Sequence, residues 1–107
     1  MSDEKFTITE VKKKNRRAVV FIIKGRVNSD NAASLEFKIN ETMREGENNI
    51  VLDMSEVDYL TSNGVRVILK GYKKASESGG LLKIENPSEN VRNVLSIAAL
   101  DEMLIKE

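Results

Sequence analysis

Apolar residues fall into short runs along the chain, and turn-forming residues separate these runs. Residues 6–11 alternate between apolar and polar side chains, whereas residues 18–23 form one continuous apolar run rich in Val and Ile. Two further apolar runs fall at residues 50–54 and 81–85. Alternation and short β-branched runs are typical of strands, so this pattern predicts four strands. A fifth short strand, or an extended tail, is predicted at residues 103–105.

Between these strands, three segments space their apolar residues at the intervals of three and four that indicate helices. Each segment follows a cluster of helix-capping residues, at residues 28–31, 61–64 and 86–88. The predicted buried stripes are Ala32, Leu35, Ile39 and Met43 in the first helix; Val65, Ile68, Leu69, Tyr72 and Ala75 in the second; and Val91, Val94, Leu95 and Ala98 in the third. Gly46 and residues 78–80 end the first two helices, and Phe37 lies off the first stripe.

The predicted elements follow the order β-β-α-β-α-β-α-β, which is an α/β arrangement. The first two strands can form a hairpin across the basic residues 12–17, and each strand–helix–strand succession implies parallel pairing. We therefore expect a mixed central sheet of about four to five strands with about three to four helices on one or both faces. Gly25 marks a bulge in the second strand, and residues 53–60 link the third strand to the second helix. Residues 1–5 are expected to be a flexible N-terminus, and residues 6–107 a single domain.

Composition restricts the chemistry that this domain can perform. The 107 residues include 17 basic and 17 acidic side chains, so no net charge favours nucleic acid or an anionic membrane. The absence of Cys and His removes thiol nucleophiles, thiolate metal sites and the usual general base. No apolar run approaches the length of a membrane span. We expect a soluble cytoplasmic protein without a cofactor, metal ion, small-molecule substrate, nucleic-acid partner or membrane partner.

Three groups of polar residues have both a functional and a simpler interpretation. The carboxylates of Asp53, Glu56 and Asp58 suggest a magnesium site or an acid–base pair, but their spacing matches no ligand template, which favours solvated loop charges. Ser62 has no histidine to activate it as a nucleophile and is interpreted as a helix N-cap. The basic residues 12–17 lack interleaved aromatic residues and indicate a solvated hairpin tip rather than a nucleic-acid patch.

Residues 50–69, I-V-L-D-M-S-E-V-D-Y-L-T-S-N-G-V-R-V-I-L, resemble the signature of STAS domains. Among these domains the branch that they resemble most is that of the bacterial anti-sigma factor antagonists. In that family a strand ending in Asp and a small polar residue leads through an apolar turn to a serine, a glycine and the central helix. Residues 25–28, G-R-V-N, with Ala32, Ala33 and Leu35, resemble the segment before the family's first helix. The resemblance covers nearly the whole chain and implies the STAS fold.

The resemblance also implies a function without enzymatic activity. Family members bind an anti-sigma factor that is also an ATP-dependent serine kinase, and this binding frees the sigma factor. Phosphorylation of the serine that Ser62 matches abolishes binding, and a serine phosphatase restores it. The implied partner-binding residues are Asn28, Asp30, Asp58, Thr61, Ser62, Asn63, Gly64 and Arg66. Many members carry aspartate at the positions of Asn28 and Thr61, and the alternative function is an unphosphorylated STAS scaffold or adaptor subunit that binds another regulatory protein.

Overall fold

The computed structural model describes residues 6–13 and 17–97, which form four strands and three helices in the order β-β-α-β-α-β-α. The elements are β1 (Thr7–Lys13), β2 (Ala18–Val27), α1 (Ala32–Arg44), β3 (Asn49–Leu60), α2 (Ser62–Glu77), β4 (Leu81–Glu85) and α3 (Glu89–Ile97). The strands lie side by side in numerical order, with β1 antiparallel to β2 and the other neighbours parallel. The predicted hairpin and mixed sheet are confirmed. The expected flexible N-terminus, Ala98 and the expected strand at residues 103–105 lie outside the described residues.

A single core joins the sheet to all three helices. Side chains of a strand alternate between the two faces of a sheet, and Phe21 and Leu52 occupy paired positions of β2 and β3 on one face. Both side chains are fully buried. Each helix adds side chains to the same buried cluster, among them Leu35, Ile68 and Leu95. None of these three helices, which are the helices of the described residues, is both long and apolar enough to cross a membrane.

Strand β3 is longer than the sequence predicts. Residues 53–60 were expected to be a linker, but the strand continues to Leu60, which pairs with Val27. Two register shifts, between Ile22 and Lys24 and between Gly25 and Arg26, each leave an extra residue in β3. These bulges break the alternation of buried side chains, and so the polar stretch does not look like a strand in the sequence. The irregularity predicted at Gly25 lies at its register, but the extra residue belongs to β3 and not to β2. Gly25 itself has a φ of 96°, which suits glycine.

The buried face of α2 also differs from the prediction. The predicted stripe ran through Val65, Leu69 and Tyr72, but these side chains are only partly buried. The buried residues of the helix are Gly64, Val67, Ile68, Gly71 and Ala75. Two glycines therefore belong to the packed face, because a helix without side chains there can approach its neighbours closely. A hydrophobicity pattern does not count glycine as apolar, and so the predicted stripe was rotated away from this face.

The other two helices follow their predicted patterns closely. In α1, Ala32, Leu35 and Ile39 are buried as predicted, whereas Thr42 takes the fourth buried position and Met43 is partly buried. Phe37 lies off this stripe and is 63% exposed. In α3 the buried residues are Val91 and Leu95, and Val94 packs against the core from its edge.

Candidate functional site

Two strand-to-helix turns meet at the carboxyl ends of β2 and β3, because these neighbouring strands are parallel and end side by side. The backbone N–H and the hydroxyl of Thr61 both donate to the carbonyl of Val27, at 2.9 and 3.1 Å. The side-chain amide of Asn63 donates to the hydroxyl of Ser29 at 2.8 Å. These three bonds hold the turn before α1 against the turn before α2. The candidate site consists of the two turns and the exposed groups around them, residues 26–31 and 58–66. We call it the switch surface.

The turn before α1 is held by its own asparagines. The Asn28 side-chain oxygen accepts from the backbone N–H of Asp30 at 2.9 Å and of Asn31 at 3.1 Å. The Asn31 side-chain oxygen in turn accepts from the Asn28 N–H, and its amide donates to the Arg26 carbonyl. Asparagine suits such turns because its short amide side chain can satisfy nearby backbone groups. Asn28 therefore shapes this turn, and Asp30 extends from it as an exposed carboxylate.

The start of α2 corrects one prediction. Ser62 was interpreted as the N-cap, but the cap is Thr61, whose hydroxyl accepts from the Gly64 N–H at 3.4 Å. Thr61 has the extended backbone of a cap residue, with φ of −85° and ψ of 171°. Ser62 is the first residue of the helix. Because Thr61 performs the capping, the exposed hydroxyl of Ser62 is left without a hydrogen-bond partner among the described residues.

Gly64 lies beneath this surface rather than on it. The residue is buried, and a Cβ atom placed there would lie 2.6 Å from Leu60 Cδ1 and 2.8 Å from Val27 Cγ1. Both of those side chains are buried at the ends of their strands. The absence of a side chain at Gly64 therefore lets the first turn of α2 rest directly on the ends of β2 and β3, which sets the height of Ser62 above the sheet.

The remaining predicted site residues lie at different distances from the two turns. Arg66 is exposed one helical turn after Ser62. Asp58 is exposed near the end of β3, and within the described ranges no hydrogen bond or ion pair joins it to either turn. The structure thus brings Asn28, Asp30 and residues 61–64 together, with Arg66 beside them and Asp58 at the margin.

Sequence reasoning did not include Arg26 in the site and did not pair it with Tyr59. These residues pair across β2 and β3, and the Arg26 guanidinium lies 5.2 Å from the centre of the Tyr59 ring. Tyr59 is 43% exposed. Tyrosine and arginine contribute strongly to protein interfaces, so this exposed pair is a candidate for contact with a partner. The pairing depends on the second bulge of β3, which shifts Tyr59 opposite Arg26. The one signal available in the sequence was an aromatic residue three positions before Ser62.

Neither the carboxylates of β3 nor the groove between α1 and α2 adds a chemical site here. Asp53 accepts from the N–H and hydroxyl of Ser55, and Glu56 pairs with Lys24 at 3.4 Å. Within residues 6–13 and 17–97, no cluster of three or more acidic side chains could hold a metal ion. A groove of about 250 Å³ lies between α1 and α2, and Ser62 is not among the residues that line it.

The cap gives the first prediction, for Thr61→Val, which removes the hydroxyl and keeps the shape of the side chain. We expect the free energy of unfolding to fall by about 1–2 kcal/mol, because the substitution removes both the long cap bond from the Gly64 N–H and the hydroxyl bond to the Val27 carbonyl. Urea denaturation measures the change. The matched control, Ser62→Ala, removes a hydroxyl without a partner and should stay within about 0.5 kcal/mol of the parent. A larger loss for Ser62→Ala would mean that Ser62 contributes the cap.

A mixed four-stranded sheet, with an exposed serine at the start of the helix after its third strand, is the arrangement that the sequence resemblance implies. The family model described as the STAS domain matches residues 10–106. The chain belongs to the STAS domain family, as the sequence resemblance predicted.

The relatives and solved structures that the chain resembles carry related names. BtrV of Bordetella bronchiseptica, provisionally named an anti-sigma factor antagonist, is 34% identical over 80 residues, which span 75% of this chain and 69% of BtrV. The anti-sigma-B factor antagonist of Bacillus subtilis is 26% identical over 92 residues, spanning 86% of this chain and 84% of that protein. The structure of the anti-sigma factor antagonist SpoIIAA in its unphosphorylated form matches with a TM-score of 0.80 at 20% identity, covering 96% of this chain and 88% of that one. SpoIIAA of Bacillus in its phosphorylated form matches with a TM-score of 0.74 at 20% identity, covering 96% and 91% of the two chains. The SpoIIAA likeness concerns the fold.

Proposed function

We propose that this protein is an anti-sigma factor antagonist whose binding is switched off by phosphorylation of Ser62. The observation that carries the proposal is the hydroxyl of Ser62, which is exposed at the start of α2 and has no hydrogen-bond partner in residues 6–13 and 17–97, while Thr61 provides the cap. A residue that neither caps the helix nor packs in the core can be modified without loss of the fold. The names of the relatives support the role of antagonist.

In this proposal the switch surface binds an anti-sigma factor that is also a serine kinase. The Ser62 oxygen attacks the γ-phosphorus of the kinase's ATP, the bond to the β-phosphate breaks, and ADP and the hydroxyl proton leave. The product carries about −1.5 to −2 additional charges at the centre of the contact surface. A serine phosphatase reverses the change by hydrolysing the phosphate ester.

The charge is compatible with the fold but not with the complex. The Val65 N–H makes the first helical bond, to the Thr61 carbonyl at 3.0 Å, and the Gly64 N–H donates to the Thr61 hydroxyl, which leaves the N–H groups of Ser62 and Asn63 without an acceptor in the helix. The positive end of the helix dipole and these amides favour a phosphate at this position. A docked partner must instead desolvate the phosphate or oppose it with carboxylates, which weakens binding.

Mass spectrometry tests the proposal directly. The protein is incubated with ATP and, in turn, with each candidate anti-sigma kinase encoded in the same genome. We expect one kinase to add a single phosphate that maps to Ser62. Ser62→Ala should remain unmodified, whereas Ser29→Ala, which removes the neighbouring exposed hydroxyl, should still accept the phosphate. Phosphate on Ser29 in place of Ser62 would contradict the proposed acceptor.

A constitutive STAS scaffold or adaptor is the second candidate function. Asn28 and Thr61 favour it, because both side chains are engaged in shaping the two turns and neither offers a carboxylate beside Ser62. Stable co-elution with one of the candidate kinases, without transfer of phosphate to any residue, would support this function instead.

A further inference from the structure

We propose that Arg66 binds the phosphoryl group on Ser62 of its own chain and so forms an internal receptor for the modification. The inference rests on the proposed phosphorylation of Ser62 and specifies what the phosphate contacts afterwards. The structural basis is the relation between two exposed residues of one helix that are four positions apart.

The geometry of α2 places these two side chains side by side. Residues four apart on a helix lie on the same face, with Cβ atoms about 5–6 Å from each other. Side chains of a helix also lean toward its N-terminus, so the long side chain of Arg66 extends over the turn that Ser62 begins. An acidic group that precedes a basic group by four residues has the more favourable of the two orientations.

Arg66 is also free to take a new partner. Within residues 6–13 and 17–97 it makes no hydrogen bond, ion pair or ring contact. The other arginine of the switch surface, Arg26, is instead stacked on Tyr59 at 5.2 Å. Lys70, one turn beyond Arg66, is held by Glu36 at 2.7 Å. Arg66 therefore lies one helical turn from Ser62 and has a guanidinium without a partner among the described residues.

Arg66 has no partner in the described residues that would stabilise the unmodified helix. The first turn of α2 contains no acidic residue that could pair with it. A cation near the positive end of a helix dipole is slightly unfavourable for the helix. A phosphate on Ser62 would reverse both relations, because it supplies the missing negative charge and matches the planar fork of a guanidinium with two oxygens.

The experiment uses the full chain with phosphoserine incorporated genetically at position 62, so that no kinase is required. Phosphorus NMR follows the second ionisation of the phosphate, which has a pKa of about 6 in the absence of neighbouring charges. We expect this pKa to lie below that value in the parent and to rise toward it in Arg66→Gln. Arg66→Lys should lie between them, because lysine keeps the charge but loses the fork.

Thermal unfolding provides an independent reading of the same pair. Phosphorylation should raise the Tm by roughly 2–4 °C in the parent, and by clearly less in Arg66→Gln. Lys73→Gln removes an equal charge from an exposed position of the same helix two turns further on and should leave both readings at the parent values. Identical phosphorus titrations for the parent and Arg66→Gln would overturn the inference.

The outcome for Arg66 is separable from the outcome for the proposed function. If phosphoserine at position 62 fails to weaken binding of the identified anti-sigma kinase, the proposed switch is wrong even when the titrations identify Arg66 as the phosphate receptor. If binding is weakened while the titrations are identical, the switch holds and the receptor is not Arg66.

Discussion

Ser62→Asp is expected to lower the affinity for the anti-sigma kinase by roughly 5- to 150-fold, whereas Ser62→Ala should bind as tightly as the parent. The range corresponds to a coupling free energy of about 1–3 kcal/mol between the charge and the partner. The physical reason is that Ser62 is exposed at the first residue of α2, next to the turn before α1. A carboxylate there must lose water or face like charge when a partner docks, while a methyl group requires neither.

Titration calorimetry with the kinase identified by phosphate mapping measures both affinities. Ser76→Asp is the matched control, because it makes the same change at an exposed serine near the opposite end of α2. Its affinity should equal that of the parent if the effect depends on position. Equal affinities of Ser62→Asp and Ser62→Ala would exclude a charge-operated switch at this residue. A full phosphate should weaken binding more than aspartate does, since its charge is larger.

Gly64→Ala is expected to lower the free energy of unfolding by about 1–2 kcal/mol, although alanine is the better helix former. The preference of a helix for alanine over glycine is worth up to about 1 kcal/mol. Against this gain, the new Cβ atom would meet Leu60 Cδ1 at 2.6 Å and Val27 Cγ1 at 2.8 Å. Both neighbours are buried, and two contacts this short place the cost at about 2–3 kcal/mol, in the upper part of the range typical of overpacking, so the clash outweighs the propensity by about 1–2 kcal/mol.

Gly71→Ala is the control for this second experiment, because it makes the same substitution on the same packed face of α2. Its Cβ atom would lie 3.0 Å from Leu82 Cδ1 and 3.3 Å from Ile39 Cγ2, which small side-chain movements can accommodate. Chemical denaturation should therefore show a change within about 1 kcal/mol of zero for Gly71→Ala. A Gly64→Ala protein as stable as the parent would mean that the start of α2 can move away from the sheet without loss.

The order of the elements could be predicted because each one is encoded by its own segment. The β-branched run of β2 and the capping clusters before α1 and α2 are local signals, and each indicated the correct type of element. The hairpin and the parallel crossovers then followed from chain connectivity. The end of β3 could not be predicted, because residues 55–59 are kept in the strand by pairing with β2 across two bulges and not by their own pattern.

The candidate site divides in the same way. The segment around Ser62 was found from its motif, but the roles of adjacent residues were assigned wrongly, since Thr61 and not Ser62 is the cap. Thr, Ser and Asn are all favoured N-cap residues, so the sequence does not show which of three consecutive ones forms the cap. The choice is made by the Val27 carbonyl, which accepts from the Thr61 hydroxyl and holds it in place.

The sequence by itself determined the class of fold, the family and the segment that carries the exposed serine, because these depend on periodicity, capping chemistry and a contiguous motif. Only the tertiary structure decided which hydroxyl caps α2, that Gly64 rests on Val27 and Leu60, and that Arg26 stacks on Tyr59. Three of the contacts involved, Thr61 with Val27, Gly64 with Val27 and Arg26 with Tyr59, join residues more than 30 positions apart in the chain. Such contacts depend on the register of neighbouring strands, which is set by the packing of the whole sheet and not by any one segment.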